Sequence, residues 1–167
     1  MSDRGYTRPM RWSRIQDLLK TAERHITSGR FGRAITFYRK VLVTAQQGDS
    51  EWELAHVRLG DLHLGLGQIQ PAIAHLLRAR TLQPDEMEYA LMLGRALRLG
   101  QRPLAAQYHL FDAFDSLHHR VDACLEMALL MEDYGRRAEA RGYAQIALRF
   151  APLREEIREL LTRLADA

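Results

Sequence analysis

Residues 53–86 read ELAHVRLGDLHLGLGQIQPAIAHLLRARTLQPDE, and this stretch decides the fold. It carries Leu59-Gly60, then Ala72, Leu76, Ala79 and Pro84, and the same residue types return at a fixed distance. Gly60, Gly94 and Ala128 are 34 residues apart, and so are Leu59, Leu93 and Met127. The same step relates Ala72, Ala106 and Ala140, and again Ala79, Ala113 and Ala147; Pro84 and Pro152 stand two steps apart. A constant step of this length marks a chain that stacks copies of one small unit. Each unit covers its apolar face only against its neighbours, so such stacks need polar caps at their ends.

Around this stretch the chain reads as helix after helix. Ile15, Leu18, Leu19, Ala22 and Ile26 follow helical spacing, with Ser13-Arg14-Ile15-Gln16 as a capping box and Gly29 as the stop. A second helix places Phe31, Ala34, Ile35, Tyr38, Val41 and Leu42 inward. Ser50-Glu51-Trp52-Glu53 forms another capping box, and Asp85 to Glu88 a third cap pattern. Pro71 and Pro103 suit first turns, where a missing N–H costs nothing. Gly100 and Gly135 are further stops, and Ala151-Pro152 ends an eighth helix. A ninth, over 153–165, carries Ile157, Leu160, Leu161 and Leu164 on one face. No alternating stretch points to a strand. The expected fold is all-α.

The 167 residues are enough for one sizeable core. No apolar run is long enough to span a bilayer, and residues 1–12 lack the apolar stretch of a secretory signal. These twelve residues have no helical period, and Gly5, Thr7 and Pro9 disfavour a helix, so a flexible basic arm is expected. The single cysteine, Cys124, excludes an internal disulfide and fits a cytoplasmic location. Net charge is +3, but residues 1–40 hold ten Lys/Arg against three Asp/Glu. Arg4, Arg8, Arg11 and Arg14 make this end a candidate surface for nucleic acid, anionic lipid or an acidic protein. Charge blocks of this kind also serve as plain solvated surface.

The paired helices resemble the tetratricopeptide repeat (TPR). That motif sets a large residue, Leu-Gly and an aromatic on its first helix, and alanine, a large apolar residue, alanine and a closing proline on its second. Copies lie at 15–48, 53–86, 87–120 and 121–154, within a repeat region 13–154, and 155–167 forms a capping helix. Four extra residues separate the first copy from the second. The usual first-helix tryptophan is replaced by Leu18, His56, Ala90 and Cys124, and the usual aromatic by His25, His63, Leu97 and Met131. Small residues at Ala22, Gly60, Gly94 and Ala128 imply close approach of paired helices. The resemblance implies a right-handed superhelical α-solenoid of about four helix pairs plus a C-terminal cap.

In such arrays first-helix side chains line a concave groove. Register then assigns Leu54, Val57, Arg58 and Asp61, then Leu91, Met92, Arg95 and Arg98, then Leu125, Glu126 and Leu129. Leu19, Lys20, Glu23, Leu64, Leu99, Asp122 and Glu132 fall on the same side. An apolar strip edged by charge suits a peptide or an amphipathic helix, although apolar residues at helical spacing also serve as internal packing. Chaperone-binding TPR domains clamp a terminal carboxylate with Lys, Asn and Arg; the matching positions here are Leu19, Glu23, Arg58, Glu88 and Met92, so no such clamp is expected.

Nothing in the sequence argues for catalysis, a metal or a cofactor. His25, His56 and His63 fall on large-residue repeat positions and read as structural. His118-His119 sits in a loop without a completing ligand set, Ser116 has no triad around it, and no phosphate-binding glycine loop occurs. The reading that follows is a non-enzymatic adaptor or scaffold for a protein partner. Nucleic-acid or anionic-surface binding through the basic end is a second reading, and a dedicated chaperone for a secreted or assembly-prone client a third. Homo-oligomerisation through exposed end faces also fits.

Overall fold

A computed structural model of the chain describes residues 8–165, and among these every regular element is an α-helix. The helices are α1 (Arg8–Thr27), α2 (Phe31–Thr44), α3 (Ser50–Gly65), α4 (Ile69–Leu82), α5 (Met87–Leu99), α6 (Pro103–Phe114), α7 (Arg120–Asp133), α8 (Arg137–Phe150) and α9 (Glu155–Ala165). They fall into two compact units that divide at Leu82. In the first, α1 packs on α2, α2 on α3 and α3 on α4. In the second, successive helices from α5 to α9 pack in turn, and α5 also meets α7.

The two cores follow the repeat. Ile15, Ala22, Ala34, Tyr38, Val41, Ala55 and Leu59 are buried together in the first unit. In the second, Cys124, Ala147 and Ile157 share a cluster that joins α7, α8 and α9. The closing helix buries Ile157, Leu160 and Leu164 and leaves Glu155, Glu156, Arg158 and Glu159 exposed. Arg141 donates 2.7 Å to the Leu164 carbonyl, which gives that helix end a partner it cannot find within the helix.

The paired helices do approach at the small residues. A Cβ built on Gly60 would lie 2.6 Å from the Leu76 Cγ, and one on Gly94 would lie 2.7 Å from the Leu110 Cγ. Neither helix pair has room for a methyl group unless the leucine moves. The last full copy fills the space differently, with Ala128 and Ala144 at the matching positions, both fully buried.

The helix ends correct the sequence reading. The capping box at Ser13 does not start a helix: α1 begins at Arg8 and runs through it, so 8–12 is helical rather than part of an arm. Residues 1–7 lie outside the described residues. The patterns at Ser50 and Asp85 do mark helix starts, at Ser50 and Met87, but the preceding Asp49 and Glu86 make no side-chain cap. Asp49 instead accepts the Gln46 N–H at 2.8 Å, which tightens the turn before α3.

The fixed element is the turn inside each pair. Gly29, Gly67, Gln101 and Gly135 all have φ between 57° and 70°, the left-handed region. After each one, the next N–H bonds back to a carbonyl five residues earlier: Arg30 to His25, Gln68 to His63, Arg102 to Leu97 and Arg136 to Met131, at 2.8–2.9 Å. This is a Schellman closure of a helix. Gln101, not Gly100, occupies the turn of the third pair, and a side chain there costs about 1 kcal/mol that glycine avoids.

The four residues inserted between the first two copies lengthen α3. It has 16 residues against 13 for α5, and the added turn carries Trp52.

Candidate interaction site

In the second unit the register assignment gathers into one place. Leu91, Met92, Arg95 and Arg98 on α5 and Leu125, Glu126 and Leu129 on α7 line a single cavity of about 350 Å³. Its floor is apolar, because positions 91, 92, 125 and 129 sit just outside the buried stripe of their helices. Asp122, Arg154 and Glu156 complete the lining. Arg154 and Glu156 flank the start of α9, and the first-helix register could not supply them. Arg154 bonds Asp122 and pairs with Glu156 at 3.0 Å, which closes this end of the cavity.

The charges in the cavity are mostly spoken for. Arg98, whose side chain is 11% exposed, donates 2.9 Å to Glu126 and 2.9 Å to Asp133. The pairing holds the Arg98 guanidinium charged, its pKa raised against the opposing effect of burial. Arg95 reaches the same Glu126 only at 3.4 Å and is 59% exposed. Of the two α5 arginines in this cavity, Arg95 is therefore the one left open to a ligand carboxylate. Arg98 is a strut between α5 and α7, and Glu132 holds α9 through a two-pronged contact with Arg163 at 2.6 and 2.8 Å.

The first unit does not repeat this arrangement. Arg58 and Asp61 line a smaller hollow of about 260 Å³ with Glu23, Ile26, Phe31 and Leu66. Leu54 and Val57 do not line it; Leu54 is 39% exposed and Val57 half-buried. Glu23 accepts the Tyr38 hydroxyl at 2.5 Å and meets Arg58 at 3.4 Å. Of the basic set, Arg11 pairs with Asp49 at 3.4 Å and is not an open cation. Arg4 lies outside the described residues, as does the Arg8 side chain. Arg14 joins Arg39 and Lys40 from α2.

The histidines form a cluster that the sequence reading saw only in part. His56 and His63 are buried, as their repeat positions imply, and His75 of α4 lies between them. His56 Nδ1 and His75 Nδ1 are 2.9 Å apart, so one of the two donates and the other accepts through its lone pair. The His63 and His75 rings stack at 5.7 Å. Gln68 Oε1 accepts from His63 Nδ1 at 2.5 Å, and the buried Nε2 of that ring has no hydrogen-bond partner among the described residues. Trp52 covers His56 edge-on at 4.2 Å, and Arg78 lies over the Trp52 ring at 5.3 Å. Among the described residues no group of three or more His, Cys, Asp or Glu side chains is placed to hold a metal ion.

Burial, then the charge on its neighbours His56, His63 and Arg39, lowers the His75 pKa to about 4; burial and Arg78 lower that of His56. Both act in the same direction. Below the ordinary histidine value of 6.5 the unfolded chain takes up protons that the folded chain refuses, so stability falls as pH drops from 6.5 toward 4. The loss for His75, discounted for its partial exposure, is about 2 kcal/mol. Urea unfolding followed by tryptophan fluorescence at the two ends of this window should show it, and His75→Gln should flatten the slope. An equally steep slope in that variant would place the acid sensitivity elsewhere.

These features define a class. Paired helices with small residues at the crossing, a left-handed turn inside each pair and a closing polar helix are the tetratricopeptide-repeat fold. No family model matches the chain, and no curated protein matches it significantly. Solved structures do. A double mutant of MamA RS-1 superimposes with a TM-score of 0.79 at 14% identity, over 90% of this chain and 83% of that one. Pseudomonas aeruginosa PilF gives a TM-score of 0.76 at 17% identity, over 92% of this chain and 68% of that one. PilW, described as a type IV pilus biogenesis factor, gives 0.77 at 18%, over 90% and 68%. At these identities the likeness establishes the fold. No helix among the described residues is long and apolar enough to cross a membrane.

Proposed function

We propose that the chain is a non-enzymatic adaptor that holds a peptide or amphipathic helix of a partner protein in the cavity between α5 and α7. One observation carries this reading: Leu91, Met92, Leu125 and Leu129 converge on one floor, with Arg95 exposed at its rim. A floor of this size accepts two or three apolar side chains of a ligand, and Met92 adapts its shape to them. Arg95 supplies a guanidinium fork for a carboxylate beside them. The same reading assigns no cofactor and no metal, and it allows homo-oligomers. The lone buried thiol of Cys124 fits a reducing cytoplasm.

The test begins with affinity purification from the native host and identification of the retained protein. Leu91→Ala, Arg95→Ala and Leu125→Ala should each weaken that partner about tenfold, equivalent to about 1.4 kcal/mol. Helix content should stay unchanged, because none of the three side chains is fully buried. Full affinity in all three variants would remove the cavity as the binding site.

A further inference from the structure

A second concave surface lies in the first unit, on α1 and α2, and its chemistry differs from that of the α5–α7 cavity. It is a furrow of about 500 Å³ lined by Arg14 and Leu18 of α1 and by Arg39, Lys40 and Val43 of α2, with two threonines. Among the described residues no carboxylate lines it. Asp17, three residues on from Arg14, is exposed but outside the lining. The Thr36 and Thr44 hydroxyls donate to the Gly32 and Lys40 carbonyls of their own helix, so they are already engaged. Val43 is 87% exposed. The furrow therefore sets Arg14, Arg39 and Lys40 beside an apolar strip of Leu18 and Val43, with Lys40 Nζ also 4.8 Å from the Phe37 ring centroid.

We propose that this furrow is a second docking site, and that its occupant is an acidic amphipathic helix of a partner protein. A channel between two packed helices has the shape that receives a third helix, ridge into groove. Leu18 and Val43 offer a strip for the apolar face of that helix, and the cations beside them select glutamate or aspartate on its flanks. A bilayer surface is flat and does not fill a furrow. Nucleic-acid phosphates would use the cations and leave the apolar floor idle. Among the described residues no aromatic side chain lines the furrow for base stacking, and Trp12 lies about 200° round α1 from Arg14. The site is separate from the α5–α7 cavity, so either can fail without the other.

The test uses the full chain and a fluorescent synthetic helix of about four turns, leucine-striped and flanked by glutamates, with a lysine-flanked twin as control. The acidic helix should bind and the twin should not, with affinity weakening severalfold between about 50 and about 300 mM NaCl. The double substitution Arg39→Glu, Lys40→Glu should reduce binding at least about tenfold. Val43→Ser, at a side chain exposed enough for the fold to tolerate it, should reduce it about threefold. Equal binding of the twins, or no effect of Val43→Ser, would overturn the proposal, the latter leaving only a charged patch. Phosphatidylserine vesicles and a duplex DNA form parallel arms. If either is lost on charge reversal while the acidic helix never binds, the furrow is an anionic-surface site instead.

Discussion

Gly60→Ala and Leu76→Ala should each destabilise the protein, and together they should cost clearly less than their sum. Leu76 is fully buried, and truncating it removes contacts and leaves a cavity, worth about 2–5 kcal/mol. An alanine at position 60 drives its methyl to 2.6 Å from the Leu76 Cγ. Such overpacking costs about 1–3 kcal/mol, offset in part by the better helix propensity of alanine, about 1 kcal/mol. In the double variant the methyl occupies space the leucine has vacated, as the Ala128 and Ala144 pair does in the second unit. The coupling should reach about 2 kcal/mol, measured as a double-mutant cycle from urea unfolding. Additivity within about 0.5 kcal/mol would mean that the two positions do not share one packing space.

Arg98→Ala should cost about 3 kcal/mol, several times the effect of Arg95→Ala. The two arginines stand one turn apart on α5 and both reach Glu126. Glu126 is 11% exposed at its side chain, and without Arg98 it keeps only the contact with Arg95 at 3.4 Å. A largely buried carboxylate that loses its main partner is left with its desolvation uncompensated. Arg95, 59% exposed, contributes what surface pairs do, below about 1 kcal/mol. Arg98→Lys should fall between them, because an ammonium cannot span Glu126 and Asp133 as the planar fork does. Equal losses for Arg95→Ala and Arg98→Ala would show that the Arg98 network does not brace α5 against α7. The contrast also makes Arg95 the better position for reading ligand binding without disturbing the fold.

The repeat made the core legible in advance. Leu59, Gly60, Leu93, Gly94 and Ala128 follow from the period alone, and all are buried. Most helix starts were legible, Pro103 for α6 and Arg137 for α8 among them, but the start of α1 was not. A capping-box pattern is a local signal, and at Ser13 it lies inside α1, which begins five residues earlier at Arg8. His75 was missed although the sequence carries its column: Phe37, His75, His109 and Tyr143 occupy one register position and all bear rings. Two of these rings meet the first-helix histidine of their own pair, Phe37 with His25 at 5.3 Å and His75 with His63 at 5.7 Å. The α5–α7 cavity followed from first-helix register, but Arg154 and Glu156 did not, since they belong to the connection into the cap. The open furrow on α1 and α2 was hidden because its three cations come from two helices, whereas a scan along the chain groups Arg14 with Arg11, which is paired to Asp49.

Cys124 has a further use. It is the chain's one thiol, it is buried among residues of α7, α8 and α9, and burial pushes its pKa up to about 11. In the folded state it neither ionises near neutral pH nor meets solvent, so a thiol reagent reaches it only when that packing opens. Both tryptophans, Trp12 and Trp52, belong to the other unit. Two natural reporters are thus sorted one to each half. Thiol labelling counts the openings of the second unit while tryptophan emission follows the first, and the two clocks, read in one tube, tell whether the halves melt as one cooperative body or in turn.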